Sequence, residues 1–386
     1  MTEEFTLNSN QVHVNFHVND LDEKAKQKVF QLAKHPAMKG LISIMPDAHD
    51  GKACVIGTTC HFGNGVIPNV VGTDIGCGLT GYPLDSLDID LAELDKKIRK
   101  VIPVGFGHRD ERNGMQLIGK YGFSNLYEKL CATEKLIGYD KKTCTQIGTL
   151  GGGNHFVELG KTSADTYWIF IHSGSRNFGL NLANHFQAKA KALCQKMNIR
   201  VPNEMEYLPL GDGMPGSEYL YHMNIAQEFA HANRITMVRQ ILDILDYPFE
   251  QENIVESVHN YISPVDNICR KGAISAYSGE EVVVPLNMAE GTIIGTGKGN
   301  KDFNFSAPHG AGRLFGRNVM KNQLKSNPEM MKEFAGRMEG IFSSSIDENT
   351  IDESPMAYKP YSMIEEYLKK TVDVKEIVRP IYNLKG

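Results

Sequence analysis

The chain has no excess of positive charge: 41 lysines and arginines stand against 46 aspartates and glutamates, a formal net charge of −5. With no general basic field, any nucleic-acid partner has to be held locally. No apolar run reaches membrane-spanning length, and Met1 to Phe5 carry acidic side chains where a secretory leader would carry basic ones. The expectation is a soluble, cytoplasmic protein with no membrane partner. Seven cysteines, Cys54, Cys60, Cys77, Cys131, Cys144, Cys194 and Cys269, form no regular framework. Their odd number argues against a disulfide scaffold and for free thiols in a reducing compartment. Internal repeats, low-complexity tracts and long Pro/Ser linkers are also missing. A length of 386 residues favours more than one domain, yet without a visible linker the chemistry-bearing turns from Asp74 to His309 are expected to share one integrated domain.

Several familiar signatures are missing as well. Gly148 to Leu159 contains three successive glycines, but no Gly-Lys-Ser/Thr follows, so it is not a P-loop. His172 and Ser173 are neighbours without a Gly-x-Ser-x-Gly elbow, which makes a serine hydrolase a poor reading. His222 and His231 lie nine apart, the wrong spacing for a helical metal pair.

What the sequence does contain is a series of short apolar strands, each running into a turn that carries polar chemistry. Leu41 to Met45 is such a strand, and a loop with Asp47, His49 and Asp50 is expected after it. Val70 to Leu79 sets Asp74 and Cys77 three apart among glycines, which let both side chains turn toward one ion. A hard carboxylate beside a soft thiolate suits Mn, Zn or Fe(II) more than Mg or Ca. Gly148 to Leu159 supplies Asn154, His155 and Glu158, with His155 and Val157 expected on one strand face and Phe156 and Glu158 on the other. Tyr167 to Ile171 is an apolar strand that delivers His172, followed by Ser173, Ser175 and Arg176, groups suited to a phosphate. His259 stands beside Asn260 at the end of another apolar segment. Two long helices are expected over about 180–197 and 217–245, and a third from Ala311 to about Leu324.

The stretch Ser306 to Arg313 places His309 between a proline and a Gly-Ala-Gly run, a clearing that a large charged partner could enter. Each of these features has an ordinary structural explanation when taken alone. Together, Asp74, Cys77, His155, His172 and His259 offer enough N, O and S ligands for two divalent ions, with room left for substrate.

The segments Thr73–Gly78, Gly148–Phe156, His172–Arg176, His259–Asn260, Lys271–Ala273, Ser306–Arg313 and the closing Lys385–Gly386 occur in one order from about residue 40 onward. In that order the chain resembles the RtcB family of GTP-dependent RNA ligases. The resemblance implies an α+β fold, residues 1–386 forming a single large domain with a β-sandwich-like core flanked by helices. It implies two Mn(II) ions, one held by Asp74, Cys77 and His155, the other by Cys77, His172 and His259. It makes His309 the nucleophile that takes GMP from GTP. Nucleotide contacts are implied for Asn154, Glu158, Asn287, Thr292, Tyr358 and Lys385, and phosphate or RNA contacts for Arg176, Asp47, His49 and Arg313. The implied substrates are RNA ends with a 3′-phosphate or 2′,3′-cyclic phosphate and a 5′-hydroxyl, in RNA repair or tRNA splicing; an activating protein partner is left open.

The chain departs from the family pattern at Pro285-Leu286-Asn287-Met288-Ala289 and at Gly316, which alters the guanine-side loop. The competing readings are a metal-dependent phosphoesterase that only opens cyclic phosphates, needing neither GTP nor His309, and a catalytically idle RNA-binding module.

Overall fold

The strand Tyr167–Ser173 lies inside a seven-stranded sheet, and the computed structural model, which describes residues 2–7, 10–18, 21–327 and 329–386, organises the candidate residues around that sheet. The strand order is Val255–Val258, Gly78–Leu84, Tyr167–Ser173, Phe156–Lys161, Val372–Lys385, Thr292–Gly297 and Glu281–Pro285. Every neighbouring pair is antiparallel. The two edges approach each other, where the Val283 N–H donates to Ser257 Oγ at 3.0 Å, so the sheet nearly closes on itself.

Alternation along the strands divides its side chains between two environments. Tyr82, Leu84, Val157, Leu159, Ile169 and Ile171 pack outward with Leu94 and Ile98 of the helix Leu91–Val101 and Met237, Val238 and Ile241 of the helix Pro215–Leu245. Leu79, Phe170, Val283, Ile294 and Val378 form an apolar cluster on the opposite face. Burial of such side chains stabilises the fold by roughly 1.5–3 kcal/mol each. Farther along the same face the positions turn polar: Glu158 and Thr292 meet there, and Glu158 is the register partner of Asn383.

A second, six-stranded sheet runs Thr2–Leu7, Asn10–Phe16, Met38–His49, Ile56–Phe62, Ile268–Lys271, Asn260–Ile262. Its one parallel pair, Asn10–Phe16 with Met38–His49, is connected by the helix Glu23–Ala33. Val14, Ile42, Ile44 and Cys60 pack there in one cluster with Phe178 and Phe186 of the helix Arg176–Lys196 and Phe229 of the helix Pro215–Leu245. The result is the expected α+β architecture, with helices flanking two sheets. Among the described residues no helix is long and apolar enough to cross a membrane.

Three local expectations change. Residues Pro46 to His49 are not a loop: the strand Met38–His49 runs through them, staying extended while its pairing with Ile56–Phe62 shifts register between Ile44 and His49. His155 lies just before the strand Phe156–Lys161 rather than on it. The helix expected from Ala311 begins at Arg317, because the preceding residues are tied to another segment: the Leu314 N–H donates to the Ala357 carbonyl at 2.9 Å, and the Lys359 N–H to the Gly312 carbonyl at 3.0 Å.

Candidate active site

His259 sits where the chain passes from the seven-stranded sheet (Val255–Val258) to the six-stranded one (Asn260–Ile262), so the site is built at the junction of the two. There its ring meets His172, the Nε2 atoms 3.3 Å apart. Cys77 Sγ lies 3.4 Å from His172 Nε2 and 3.6 Å from His155 Nε2, and His155 Nε2 lies 3.1 Å from Asp74 Oδ2. Two groups result, Cys77–His172–His259 and Asp74–Cys77–His155, each with its ligand atoms within 4.8 Å of one another and both using the Cys77 sulfur.

The protonation pattern suits cation binding. Nδ1 of His155 faces the Leu150 carbonyl and Nδ1 of His172 the Asn154 carbonyl, each at 3.0 Å. A carbonyl can only accept, so in His172 Nδ1 carries the proton and Nε2 keeps its lone pair toward the cluster, whereas Nδ1 of His155 also faces the Arg176 guanidinium, a donor, at 3.0 Å. Burial holds the His172 and His259 imidazoles well below their usual range, helped by neighbouring positive groups. Burial also pushes the Cys77 thiol up, with Asp74 adding to it; a divalent cation would reverse that, since a coordinating thiol is deprotonated. Burial alone would raise the Asp74 carboxyl, but His155 and the Arg176 charge outweigh it and bring it to about 2. Mixed N, O and S donors of this kind fit Mn, Zn or Fe(II).

Side chains of the helix Pro215–Leu245 fix the ligand-bearing loops from behind. Arg234 Nη1 donates to the carbonyls of Gly76 (2.7 Å) and Ser173 (2.8 Å), and its Nε to Glu256 Oε1 (3.0 Å). Asn233 accepts from the Thr149 N–H at 3.0 Å and donates to the Gly174 carbonyl at 3.3 Å. Gly174 is required where it stands, since a Cβ there would lie 2.2 Å from Asp74 Oδ1.

His309 follows the short strand Ser306–Pro308, which pairs with Ala273–Ser275. Its ring centroid is 4.9 Å from that of His259, which puts it beside the Cys77–His172–His259 group. Nδ1 donates to Asp47 Oδ2 at 2.7 Å, and the Asp47 side chain is completely buried. In the neutral ring Nε2 is thereby the nitrogen that keeps its lone pair. Gly272, at φ +62°, lets the backbone pass beneath this ring.

One cavity of about 410 Å³ is lined by Asp74, Cys77, His172, His259 and His309, and also by Asn154, Glu158, Asn287, Tyr358 and Lys385. Glu158 accepts from Thr292 Oγ1 at 2.8 Å and from Asn383 Nδ2 at 3.3 Å. Burial raises its carboxyl to about 7, against the opposing effects of Thr292, Lys385 and Asn383. Lys385 Nζ sits 5.0 Å from the Phe156 ring centre and 3.6 Å from Glu353. Asn287 accepts from the Ala289 and Glu290 N–H groups, both at 3.0 Å, so its side chain braces its own loop while lining the cavity.

Four expected contact residues are engaged within the protein. The Asp47 carboxylate is buried against His309 and does not line the cavity. Arg176 stands behind the wall, with Nη1 3.0 Å from His155 Nδ1, instead of lining the cavity. Thr292 is fully buried and reaches the cavity only through Glu158. Arg313 lines the cavity, but its charge is matched by Glu353 at 3.1 Å and its guanidinium lies over the Tyr358 ring at 5.0 Å. His49 does line the cavity, its Nδ1 3.1 Å from the Asp47 carbonyl.

The sequence reading missed Glu353, the buried carboxylate shared by Arg313, Arg317, Lys385 and the Tyr358 hydroxyl. It also missed Arg234, and Lys271, whose buried ammonium donates to the Lys52 and Asn69 carbonyls. Glu353 sits in an Asp-Glu-Ser-Pro stretch that reads as a turn, and Arg234 in an ordinary helical pattern. Only Lys271, in its Lys-Gly-Ala segment, carried a local signal.

The family described as tRNA-splicing ligase RtcB matches this chain over residues 28–386. The chain belongs to the RtcB family. The matched span contains both ligand groups, His309 and Lys385. Relatives matched over most of their length include the RNA-splicing ligase RtcB of Escherichia coli K12, 29% identical over 403 residues that cover 95% of each chain. The tRNA-splicing ligase RtcB of Aeropyrum pernix is 26% identical over 460 residues, covering 95% of this chain and 93% of that one. The RtcB protein of the same description from Methanococcus maripaludis is 26% identical over 417 residues, covering 88% and 86%.

Proposed function

We propose that the chain is a GTP-dependent RNA ligase joining RNA 3′-phosphate or 2′,3′-cyclic-phosphate ends to 5′-hydroxyl ends, in RNA repair or tRNA splicing. The observation that carries this reading is the placement of His309, held by Asp47 through Nδ1 and beside the Cys77–His172–His259 group in a single cavity. An imidazole oriented in this way would also serve a phosphoesterase as general acid or base, so the choice between the two rests on the family. Family membership supports the same class of reaction.

In this reading Asp74, Cys77 and His155 hold one Mn(II) and Cys77, His172 and His259 the other. When bound, the ions neutralise phosphate oxygens and so lower the cost of bringing an electron pair to phosphorus. Glu158, Lys385 and Tyr358 stand where the base and nucleoside of GTP would lie, with Asn154 toward its phosphates. The Nε2 lone pair of His309 attacks the α-phosphorus in line: an N–P bond forms, the bond from phosphorus to the bridging oxygen breaks, and pyrophosphate leaves. Asp47 stabilises the positive charge that the ring acquires. An oxygen of the RNA 3′-phosphate then takes the GMP from His309. The 5′-hydroxyl of the second strand attacks the RNA phosphorus, and GMP departs as the strand is sealed. A cyclic phosphate enters after hydrolysis to the 3′-phosphate.

The test is end joining with a label in the RNA 3′-phosphate. With GTP and Mn(II), the label should become resistant to phosphatase as it enters an internal phosphodiester. Opening of a cyclic phosphate without joining, and without need of GTP, would establish the phosphoesterase instead.

A further inference from the structure

Asn383 has no assigned role, yet it is the one residue, among the described residues, that both lines the cavity and has a buried side-chain oxygen without a hydrogen-bond partner. Native proteins pair nearly all buried polar atoms, and an orphan in a cavity wall marks a place where a ligand completes the pairing. The residue is only 1% exposed, and its neighbours fix its orientation. It lies directly across the strand pair from Glu158, and its Nδ2 donates to Glu158 Oε2, which leaves Oδ1 as the free acceptor. Lys385, two positions on and on the same strand face, pairs across to Phe156.

This wall therefore offers two neighbouring acceptors, the Glu158 carboxylate and the Asn383 carbonyl, together with one donor, the Lys385 ammonium. Guanine presents the complementary edge: N1–H and the 2-amino group donate, and O6 accepts. Adenine presents an acceptor at N1 and no 2-amino group. We infer that Asn383 is a specificity-determining residue whose Oδ1 accepts a hydrogen bond from the 2-amino group of the guanine. The inference rests on the GTP reading of the cavity and adds a residue and an atom to it. An alternative role, in which Asn383 only steadies Glu158, makes a different forecast, because Glu158 would still meet the N1–H of any 6-oxopurine.

Inosine triphosphate, which is GTP without the 2-amino group, separates the two roles. The measured quantity is kcat/KM for transfer of the α-labelled nucleotide to the protein, with each nucleotide and Mn(II), for wild type, Asn383→Leu and Asn383→Ser. Wild type should prefer GTP over the inosine nucleotide by about five- to tenfold, the yield of one neutral hydrogen bond. Both variants should bring that ratio close to one. Because the ratio is taken within one preparation, partial misfolding of a variant does not affect it. An unchanged ratio in the variants, with both nucleotides falling together, overturns the assignment and leaves Asn383 as support for Glu158. A wild-type ratio near one overturns it too. If wild type takes label from neither nucleotide, the ligase reading itself fails, a result distinct from either of these.

Discussion

Asp47 Oδ2 lies 2.7 Å from Nδ1 of His309, across 262 residues of sequence, and it joins a strand of the six-stranded sheet to the turn that follows Ser306–Pro308. A buried carboxylate on Nδ1 sets the tautomer of the ring, orients it and stabilises the charge it acquires on attack. Asp47→Asn keeps the shape but removes the charge and favours the wrong tautomer. The expected outcome is a loss of about a hundredfold or more in the rate of nucleotide transfer to the protein, with little change in the thermal midpoint. Single-turnover labelling and a melting curve on the same preparation check this.

Glu158 makes the site sensitive to pH. Its buried carboxyl titrates near 7 in the folded protein, whereas in the unfolded chain it would titrate near the ordinary value of about 4.3. In the proposed function the ionised form is the one that accepts from a guanine edge, so GTP affinity should rise as pH rises through about 7, and Glu158→Gln should flatten that rise. For stability the sign is the opposite. A raised folded-state value contributes stability fully present below the unfolded value and lost as pH climbs through the folded one. Without nucleotide, Glu158→Gln should therefore gain on wild type between pH 5 and pH 8, by at most about 3 kcal/mol. Nucleotide titrations and denaturant melts across that range read the two effects separately.

Cys77 belongs to both ligand groups, and the other four ligands belong to one each. After loading with Mn(II) and removal of free ion, wild type should carry two ions per chain. His155→Ala and His259→Ala should each carry one, and Cys77→Ala close to none. Bound Mn(II) should also raise the thermal midpoint of wild type, with a stabilisation of about 2.7 kcal/mol at a hundred times the dissociation constant. Cys77→Ala should show no such shift. Elemental analysis and melting curves provide both readouts.

Arg234 is a fully buried guanidinium spanning the Gly76 and Ser173 carbonyls and Glu256. Arg234→Met leaves the Glu256 carboxylate with only His231 and Thr80, and both loop carbonyls without their donor. Removing one partner of a buried pair costs about 3–5 kcal/mol. Denaturant unfolding should show a loss of that size, accompanied by weaker Mn(II) binding, since the loops bearing Cys77 and His172 lose their common anchor.

The parts of the site legible in the sequence are those whose chemistry is local. Asp74 and Cys77 become legible only together with the three histidines, because the glycines around them let both side chains turn toward one ion, and His172 because it ends an apolar strand in a run of small residues. His309 stands out through the clearing on either side of it. Relationships across the chain left no such mark. Nothing near Asp47 indicates that its partner is His309, so its setting reads as a polar loop, whereas it lies on a strand with its carboxylate buried. Arg234 looks like any basic residue on a long helix, because periodicity does not reveal which carbonyls will face it. The helix expected from Ala311 starts at Arg317 for the same reason: the contacts holding Gly312 and Leu314 in place come from Ala357 and Lys359, more than forty residues away. The α+β architecture was readable, since it needs only strands and helices in irregular order. The near closure of the seven-stranded sheet was not, since it depends on its first and last strands meeting at Ser257 and Val283.

The most direct test of the central claim is the covalent labelling of His309. Incubated with Mn(II) and GTP labelled in its α-phosphate, the wild-type protein should acquire a label that is stable to alkali and released by acid, as a phosphoramidate is, and it should map to the peptide containing His309. His309→Ala should acquire none while still binding Mn(II) and melting near the wild-type midpoint. A His309→Ala protein that labels as well as wild type would contradict the claim.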